Sequence, residues 1–426
     1  MDKRTKALMA FLDASHSVYH AAAYLIKELE AAGYTRLQEN ESWSIAPGGK
    51  YYLTRGGTAV VAFRVPNAAA KGFLISASHS DRPTFKVKEN AELAGAYTRL
   101  GVERYGGMLL APWLDRPLSI AGRVLVETEN GVQSRLVDID RDLLMIPNVA
   151  IHMNRQANEG YKWNPAVDML PLMGGKNAKG KLDKLLEKEA GGKILGHDLY
   201  LYVRQKASVW GVDKEYISSA ALDDLQCAWG CTQGFLNAGE SASIPVLAVF
   251  DSEEVGSSSL QGAASKLLES ALSRICAGLK LDEHTMLANS FMVSADNAHA
   301  LHPNHPEYAD PNNAPVMGGG VVIKFNASQR YTTDGVSAAI FRRICKNAGV
   351  AVQTYYNRAD IPGGSTLGNI SLSHVSVPSV DIGLAQLAMH SCYETAAVSD
   401  ALALEEAMAA YYGASLEANS QGYEVK

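Results

Sequence analysis

Long apolar runs, an excess of positive charge and abundant cysteine are all missing from this sequence of 426 residues. No segment approaches the ~18 consecutive apolar residues of a membrane-spanning helix, and no apolar signal segment follows the charged start Met1–Lys6. These absences predict a cytoplasmic protein without a membrane partner. The formal net charge is −6, with both signs spread along the chain. Because phosphate binding usually requires a basic patch, nucleic acid is not expected as a partner.

Cysteine is scarce, with five residues in the chain. An odd number scattered among apolar neighbours is typical of reduced thiols in a reducing compartment. Cys227 and Cys231 lie one helical turn apart in an apolar stretch, which favours core packing over the alternative of metal binding. His16 and His20 have the same spacing in a segment that is predicted to be helical. A pair on the helix surface is favoured there over a metal pair.

Short apolar runs that end in polar residues alternate with helical patterns. The runs are predicted strands, and they lead into His79, Glu253-Glu254, Asp296 and His390; they are Phe73–Ser78, Val246–Phe250, Phe291–Ser294 and Val377–Leu384. Helical patterns cover an N-terminal segment that ends at Gly33, and Ser259–Leu279, Gly335–Ala348 and Ser399–Leu416. Such alternation predicts an α/β fold with helices on both faces of a sheet. Polar residues at strand ends mark the place where such sheets carry their sites.

The middle of the chain shows a different pattern, with short strand signals that are joined by turns. Strand signals at Ser119–Glu127 and Val132–Ile139 flank Asn130-Gly131, a typical hairpin turn. The Gly- and Lys-rich segment Gly174–Lys193 predicts a solvated loop and a short amphipathic helix. We therefore predict an inserted β-rich oligomerisation domain over residues 89–212, and a catalytic domain formed by residues 1–88 together with 213–426.

Five separated positions offer ligands for a divalent metal ion. They combine imidazole with carboxylate, which suits zinc, while Co²⁺ or Mn²⁺ is compatible with the same set; they are His79, Asp223, Glu254, Asp296 and His390. Each position alone is weak evidence, since Asp223 could also be a helix cap. Their joint occurrence next to predicted strands is what points to a metal site.

Several longer motifs extend this pattern over nearly the whole chain. They are Ser78–Asp81, Tyr105–Gly107, Trp113–Arg116, Ile146–His152, Asp296–Asn304 and Ala388–Ser391. Together they resemble the M18 family of metallo-aminopeptidases, the aspartyl aminopeptidase family, a group within the dinuclear zinc exopeptidases. The resemblance implies a zinc-exopeptidase-like α/β/α catalytic domain with an inserted β-rich dimerisation domain. It also implies hydrolysis of the N-terminal residue of peptides, with a preference for Asp or Glu.

The resemblance further implies two Zn²⁺ per subunit. Asp223 would bridge them, His79 and Asp296 would complete one site, and Glu254 and His390 the other. The chemistry agrees, because two metals bridged by a carboxylate can polarise a scissile carbonyl and lower the pKa of water.

Two further carboxylates acquire roles from the same resemblance. Glu253 would be the general base, taking a proton from the attacking water and passing it to the leaving amine. Asp81 would fix the tautomer and orientation of a histidine ligand. One Glu that binds metal and a neighbour that does not explains the use of two in a row.

The resemblance also extends to His152, Lys324 and Tyr331, and for the first two it leaves alternatives open. His152 matches a segment that this family brings to a neighbouring subunit's active site, so it stabilises an oxyanion or is a structural histidine at the interface. Lys324 and Tyr331 match a substrate-side strand; the lysine pairs with an acidic substrate side chain or lies on the surface. The family assembles as a dodecameric shell, which implies a homo-oligomer that takes small peptides.

The sequence also departs from the usual family pattern. Arg82 replaces a small residue before Pro83, Asp224 replaces Asn, and Cys392-Tyr393-Glu394 replaces the usual Arg-Glu arrangement. None of these changes removes a ligand or the base, but they could shape the substrate pocket. Three alternatives to acidic specificity therefore remain: a preference for apolar N-termini, a related amidohydrolase, and a non-catalytic metal-stabilised scaffold.

Overall fold

The computed structural model describes residues 1–419 and 422–426. Over these residues the α-helices are α1 Lys3–Ala14, α2 Val18–Ala31, α3 Leu182–Ala190, α4 Leu222–Asn237, α5 Leu267–Leu279, α6 Glu283–Ala288, α7 Gly335–Ala348, α8 Leu367–Ser371 and α9 Val398–Gly413. None of these helices combines the length and the apolar character needed to cross a membrane.

The strands of the described residues, in chain order, are β1 Thr35–Arg36, β2 Lys50–Arg55, β3 Ala59–Arg64, β4 Phe73–His79, β5 Thr84–Leu93, β6 Tyr97–Tyr105, β7 Leu118–Thr128, β8 Gly131–Asp138, β9 Leu172–Gly175, β10 Ile194–Val203, β11 Ser208–Trp210, β12 Tyr216–Ser219, β13 Ile244–Phe250, β14 Phe291–Ala295, β15 Ala298–His299, β16 Val321–Phe325, β17 Val352–Tyr356, β18 Ser379–Gly383, β19 Ala385–Leu387, β20 Glu394–Ala397, β21 Leu416–Asn419 and β22 Gly422–Val425.

A nine-stranded sheet forms the centre of the molecule, in the order β1-β2-β3-β13-β4-β14-β18-β16-β17. Its middle strands β13, β4, β14 and β18 run parallel. Alternate residues of β13 enter two different cores: Leu247 and Val249 pack with α1, α2, α4, α7 and α9, whereas Val246 packs with α5, α6 and α8. Both faces of the sheet are thus covered by helices, and the predicted α/β fold is confirmed.

A second, antiparallel sheet has the order β8-β7-β10-β5-β6-β9 and its own apolar core with α3. It is built from residues 84–203, so the predicted domain boundary between residues 88 and 89 falls inside β5. A third sheet, β11-β12-β20-β19-β15, lies beside the carboxyl ends of the central strands. Its strands flank the segments that carry Asp296 and His390.

Two helix predictions need correction. The N-terminal helix is interrupted between α1 and α2, and His16 lies in the break, where Nδ1 is 2.6 Å from an oxygen of Asp138. His20 lies in α2, and its Nδ1 is hydrogen-bonded to Ser17 Oγ at 2.8 Å. The two histidines therefore do not form a pair on one helix surface. The helix expected from Ser259 begins only at Leu267.

The predicted core packing of Cys227 and Cys231 is confirmed. All five cysteines are free and buried. Cys227 and Cys231 lie in α4 and belong to the core that this helix shares with α9. They pack inside the protein and take no part in the groups of side chains that could hold a metal ion.

Candidate metal centre

Three neighbouring parallel strands bring predicted ligands to one edge of the central sheet. His79 is the last residue of β4, and Asp296 directly follows β14. Between these strands and β3 lies β13, which ends at Phe250 and leads into the turn that carries Glu254. Because parallel strands present their carboxyl ends at the same edge, these side chains meet there.

Asp223 lies between two imidazoles. Its Oδ1 is 3.6 Å from His79 Nε2, and its Oδ2 is 3.6 Å from His390 Nε2. The residue lies in the first turn of α4, where its φ and ψ are not helical. Its backbone N–H donates a 2.9 Å hydrogen bond to Glu394 Oε2, which fixes this turn. The two oxygens of one carboxylate therefore face two different histidines.

One further carboxylate stands beside each histidine. Asp296 Oδ1 is 3.9 Å from His79 Nε2, and Glu254 Oε2 is 3.4 Å from His390 Nε2. The structure thus brings all five predicted ligands together. Their potential ligand atoms form groups within 4.8 Å; the groups are His79 with Asp223, Asp224 and Asp296; Asp223 with Glu254 and His390; and His79 with Glu253 and Glu254.

Buried carboxylate oxygens without partners show that these residues fit divalent cations. Among the described residues, Asp223 Oδ1 and Glu254 Oε1 are buried and have no hydrogen-bond partner. Burial and the charge of Asp296 raise the pKa of Asp223 to about 7, and burial and the charge of Asp223 raise the pKa of Glu254 well above its usual value. Buried charges require compensation, and this mixture of imidazole and carboxylate is a typical zinc ligand set.

Asp81 connects His79, a predicted ligand, to the turn that follows β13. Its Oδ1 is 3.3 Å from His79 Nδ1, and its backbone carbonyl oxygen is 3.2 Å from the same nitrogen. The backbone N–H groups of Glu253 and Glu254 each donate a 3.1 Å hydrogen bond to the Asp81 carboxylate. An acceptor at Nδ1 leaves Nε2 of His79 free to bind a cation.

Glu253 lies beside the predicted ligands with its carboxylate uncommitted. No donor among the described residues bonds to that carboxylate, although His79 and Glu254 lie close enough to form a group with it. Burial, together with the charges of Asp296 and Asp81, raises the pKa of Glu253 to about 8. The side chain therefore has the position and freedom of a proton-transfer group, and cations bound at the predicted ligands would favour its ionised, proton-accepting form.

Lys324 is buried, so the alternative that placed it on the surface is wrong. Its Nζ donates hydrogen bonds to Asp296 O at 2.7 Å and to Asp296 Oδ2 at 3.3 Å. Tyr331 is also buried, and its ring centroid is 5.0 Å from the same ammonium. His152 is elsewhere, in an exposed turn next to Ile151 and Met153, and it belongs to none of the three ligand groups.

Two acidic residues at the centre were missed as contributors. Asp224 Oδ2 accepts a 3.2 Å hydrogen bond from the backbone N–H of His79. Glu394 is buried and accepts backbone hydrogen bonds from Asp223 and from His390, the latter at 2.7 Å. Both residues lie near predicted ligands in the sequence, Asp224 one position after Asp223 and Glu394 four positions after His390. This proximity is the sequence feature that could have identified them.

A family model described as "Aminopeptidase I zinc metalloprotease (M18)" matches residues 11–412. The chain belongs to the M18 family of zinc aminopeptidases. It is thus a metallo-hydrolase that acts on peptides, and the predicted family and enzyme class are confirmed. The described residues include groups that could hold a metal ion, as a zinc metalloprotease needs.

Curated relatives of this M18 chain match over nearly their full length. A "Probable M18 family aminopeptidase 2" of Clostridium novyi is 42% identical over 414 residues, which cover 93% of this chain and 96% of the relative. A protein with the same description from Pseudomonas aeruginosa is 40% identical over 422 residues, with 96% and 98% covered.

Solved structures show the same likeness. The structure described as "the Ape4 and Nbr1 complex" superposes with a TM-score of 0.93 at 33% identity, covering 96% of this chain and 85% of that chain. The S. cerevisiae mApe1 dodecamer gives 0.86 at 26% identity, with 96% of each chain covered. An M18 aminopeptidase of Thermotoga maritima, at 20% identity and a TM-score of 0.84 with 97% of each chain covered, shares the fold.

Proposed function

We propose that this M18 chain is a two-metal aminopeptidase that removes acidic N-terminal residues from peptides in the cytoplasm. One observation carries the two-metal part: the oxygens of Asp223 face two different imidazoles, each at 3.6 Å. A carboxylate so placed is suited to bridge two cations. His79 and Asp296 would then complete one site, and Glu254 and His390 the other.

When bound, two zinc ions supply Lewis acidity that polarises the scissile carbonyl and makes water more acidic. The chain's own residues carry the proton. Glu253 accepts it from the attacking water and delivers it to the leaving amine, as a general acid–base residue does. The backbone N–H of Glu253 donates a hydrogen bond to the Asp81 carboxylate, which holds the turn that carries Glu253. The same carboxylate also accepts at His79 Nδ1, which keeps that imidazole in the ligating orientation.

A cavity of about 310 Å³ beside the centre supports acidic specificity. At one end it is lined by His299, three positions after Asp296, and by Ala388, two positions before His390. Arg358 and the rings of Tyr308 and Tyr355 also line it. Among the described residues, no Asp or Glu lines it. The donors on this wall, one guanidinium and three imidazoles, can bind an anionic side chain.

Two cations have distinct places relative to this cavity. Arg358 is at the wall and is paired with Asp360 at 2.9 Å. Lys324 does not line the cavity; it is buried and paired with Asp296 at 3.3 Å, and its charge would attract an acidic side chain through space. The residues that depart from the usual family pattern, Arg82, Asp224 and Cys392-Tyr393-Glu394, are not among those that line the cavity. Their presence is therefore compatible with acidic specificity.

We further propose a homo-oligomer, with the dodecamer described for S. cerevisiae mApe1 as its pattern. The turn around His152 exposes Val149, Ile151 and Met153, the last at 84% exposure. Exposed apolar side chains in one segment are typical of an interface. In such an assembly His152 would reach a neighbouring subunit's cavity and stabilise the oxyanion.

Initial hydrolysis rates on Asp-, Glu-, Leu- and Ala-anilides test the proposal. The protein is chelated and then reloaded with zinc, cobalt or manganese, and Glu253→Ala serves as the control. We expect metal-dependent cleavage, faster on Asp and Glu, that collapses in the variant. Faster cleavage of Leu would replace the acidic preference with an apolar one. No turnover by folded, assembled protein with any metal would support a scaffold instead.

A further inference from the structure

The end of β6 brings the six-stranded sheet against the back of the metal centre. Tyr105 is the last residue of this strand. Its hydroxyl donates a 2.8 Å hydrogen bond to Asp81 Oδ2 and lies 3.5 Å from Asp251 Oδ1. One phenol proton therefore stands between two carboxylates that follow different strands of the central sheet, Asp81 after β4 and Asp251 after β13.

The Asp81 carboxylate that receives this bond orients three other residues. Oδ1 accepts from the backbone N–H of Glu253 and lies 3.3 Å from His79 Nδ1. Oδ2 accepts from the backbone N–H of Glu254 as well as from Tyr105. Rotation of this carboxylate would therefore disturb a ligand, the general base and a second ligand together.

Tyr105 is suited to be a permanent donor. Burial and the charges of Asp81 and Asp251 raise its pKa far above the usual value, so the phenol stays protonated. Its ring packs edge-on against Tyr200, with centroids 5.6 Å apart. The ring is thus held by packing that does not depend on the hydroxyl group.

The residues that follow Tyr105 touch the other half of the centre. Gly106 has φ +76°, and a Cβ there would lie 3.1 Å from Glu254 Cβ, which is tighter than ordinary contact. Leu109 N–H donates a 3.1 Å hydrogen bond to His390 O. The short segment Tyr105–Leu109 therefore contacts Asp81, which lies beside His79, as well as Glu254 and His390 of the other predicted site.

We propose that Tyr105 is a positioning residue for the reaction. Its hydroxyl fixes the Asp81 carboxylate and thereby orients His79 and the Glu253-Glu254 turn. This inference rests on the proposed function and deepens it, since it assigns a residue of the inserted sheet to the metal centre. Substitutions of residues that hold metal ligands in place cost about 10–100-fold in metal affinity or activity.

Tyr105→Phe removes the hydroxyl and keeps the ring. Tyr200→Phe is the matched control, because it removes a hydroxyl from the partner ring without touching Asp81. We expect Tyr105→Phe to lower kcat about 10-fold or more with KM unchanged, and to release zinc faster to a chelator. The control should match the native protein in both measurements.

Three results would overturn the proposal. They are a kcat and a zinc-release rate like those of Tyr200→Phe, a change in KM alone, and a Tyr105→Phe protein that fails to fold, since the hydroxyl is assigned no role in folding. Zinc release is measured without substrate. If the native protein hydrolyses nothing, the proposed function fails, while the difference in zinc release between the two variants still decides the positioning role.

Discussion

Replacing Lys324 with methionine removes the one ammonium that contacts Asp296 in the described part of the chain. Lys324 is 1% exposed, and its Nζ is 3.3 Å from Asp296 Oδ2. Removing one partner of a buried ion pair costs about 3–5 kcal/mol, because the other charge is left uncompensated. Unfolding entropy is about 2.1 cal/mol/K per residue, or about 0.9 kcal/mol/K for 426 residues. The Tm of the chelated protein should therefore fall by about 3–6 °C.

Bound zinc would give the same carboxylate another cationic partner, so the loss should be smaller in zinc-loaded protein. Scanning calorimetry of the chelated and the loaded forms measures both shifts. Lys266→Met is the control, because its Nζ is 3.6 Å from Glu269 and its side chain is 73% exposed. Such surface pairs contribute about 0–1 kcal/mol. Equal shifts of Lys324→Met in both forms, or no shift in either, would refute the reasoning.

Three other changes have defined outcomes. Glu253→Gln should lower kcat by about 10²–10⁴-fold while the bound zinc, counted by atomic absorption, stays the same; a loss of zinc would make Glu253 a ligand instead. Asp223→Asn should reduce zinc content as well as kcat, and an unchanged content would contradict the bridging role. Burial lowers the pKa of His20 from 6.5 to about 4, so its folded-state pKa lies below the unfolded one. Stability is then full above about pH 6.5 and decreases as pH falls toward 4, by at most about 3 kcal/mol. His20→Gln should flatten this part of the denaturation profile, and an unaltered profile would assign the acid sensitivity to other groups.

The strand ends were predictable because each apolar run is a buried strand of the central sheet. The run before His79 and the run before Asp296 pair as β4 and β14, which are fully buried. Residues on such strands are apolar at nearly every position, and the chain becomes polar where the strand leaves the core. His79 and Asp296 therefore meet at one edge without any need for knowledge of the loops.

Tertiary contacts determine the features that the sequence pattern did not predict, which are the late start of one helix and the burial of two charged residues. The segment 259–266 forms bends and turns instead of helix. It packs closely on the preceding residues, since a Cβ on Gly262 would lie 2.0 Å from Ser257 O. Lys324 continues the pattern of a strand, but its burial depends on Asp296, a partner 28 positions earlier that periodicity does not reveal. Glu394 is likewise polar in sequence and buried in the fold, because it accepts backbone hydrogen bonds from two predicted ligands, Asp223 and His390.

The ligand positions run from His79 to His390, so the candidate centre joins segments from most of the chain. A cation held there would be a reversible cross-link between the amino-terminal and carboxyl-terminal parts of the sheet. Closing such long loops restricts the unfolded chain, and metal that binds only the folded state adds its binding free energy to stability. The supply of zinc would then regulate how long the protein survives as well as how fast it works. A chain made when zinc is scarce would lack this contribution and unfold more readily.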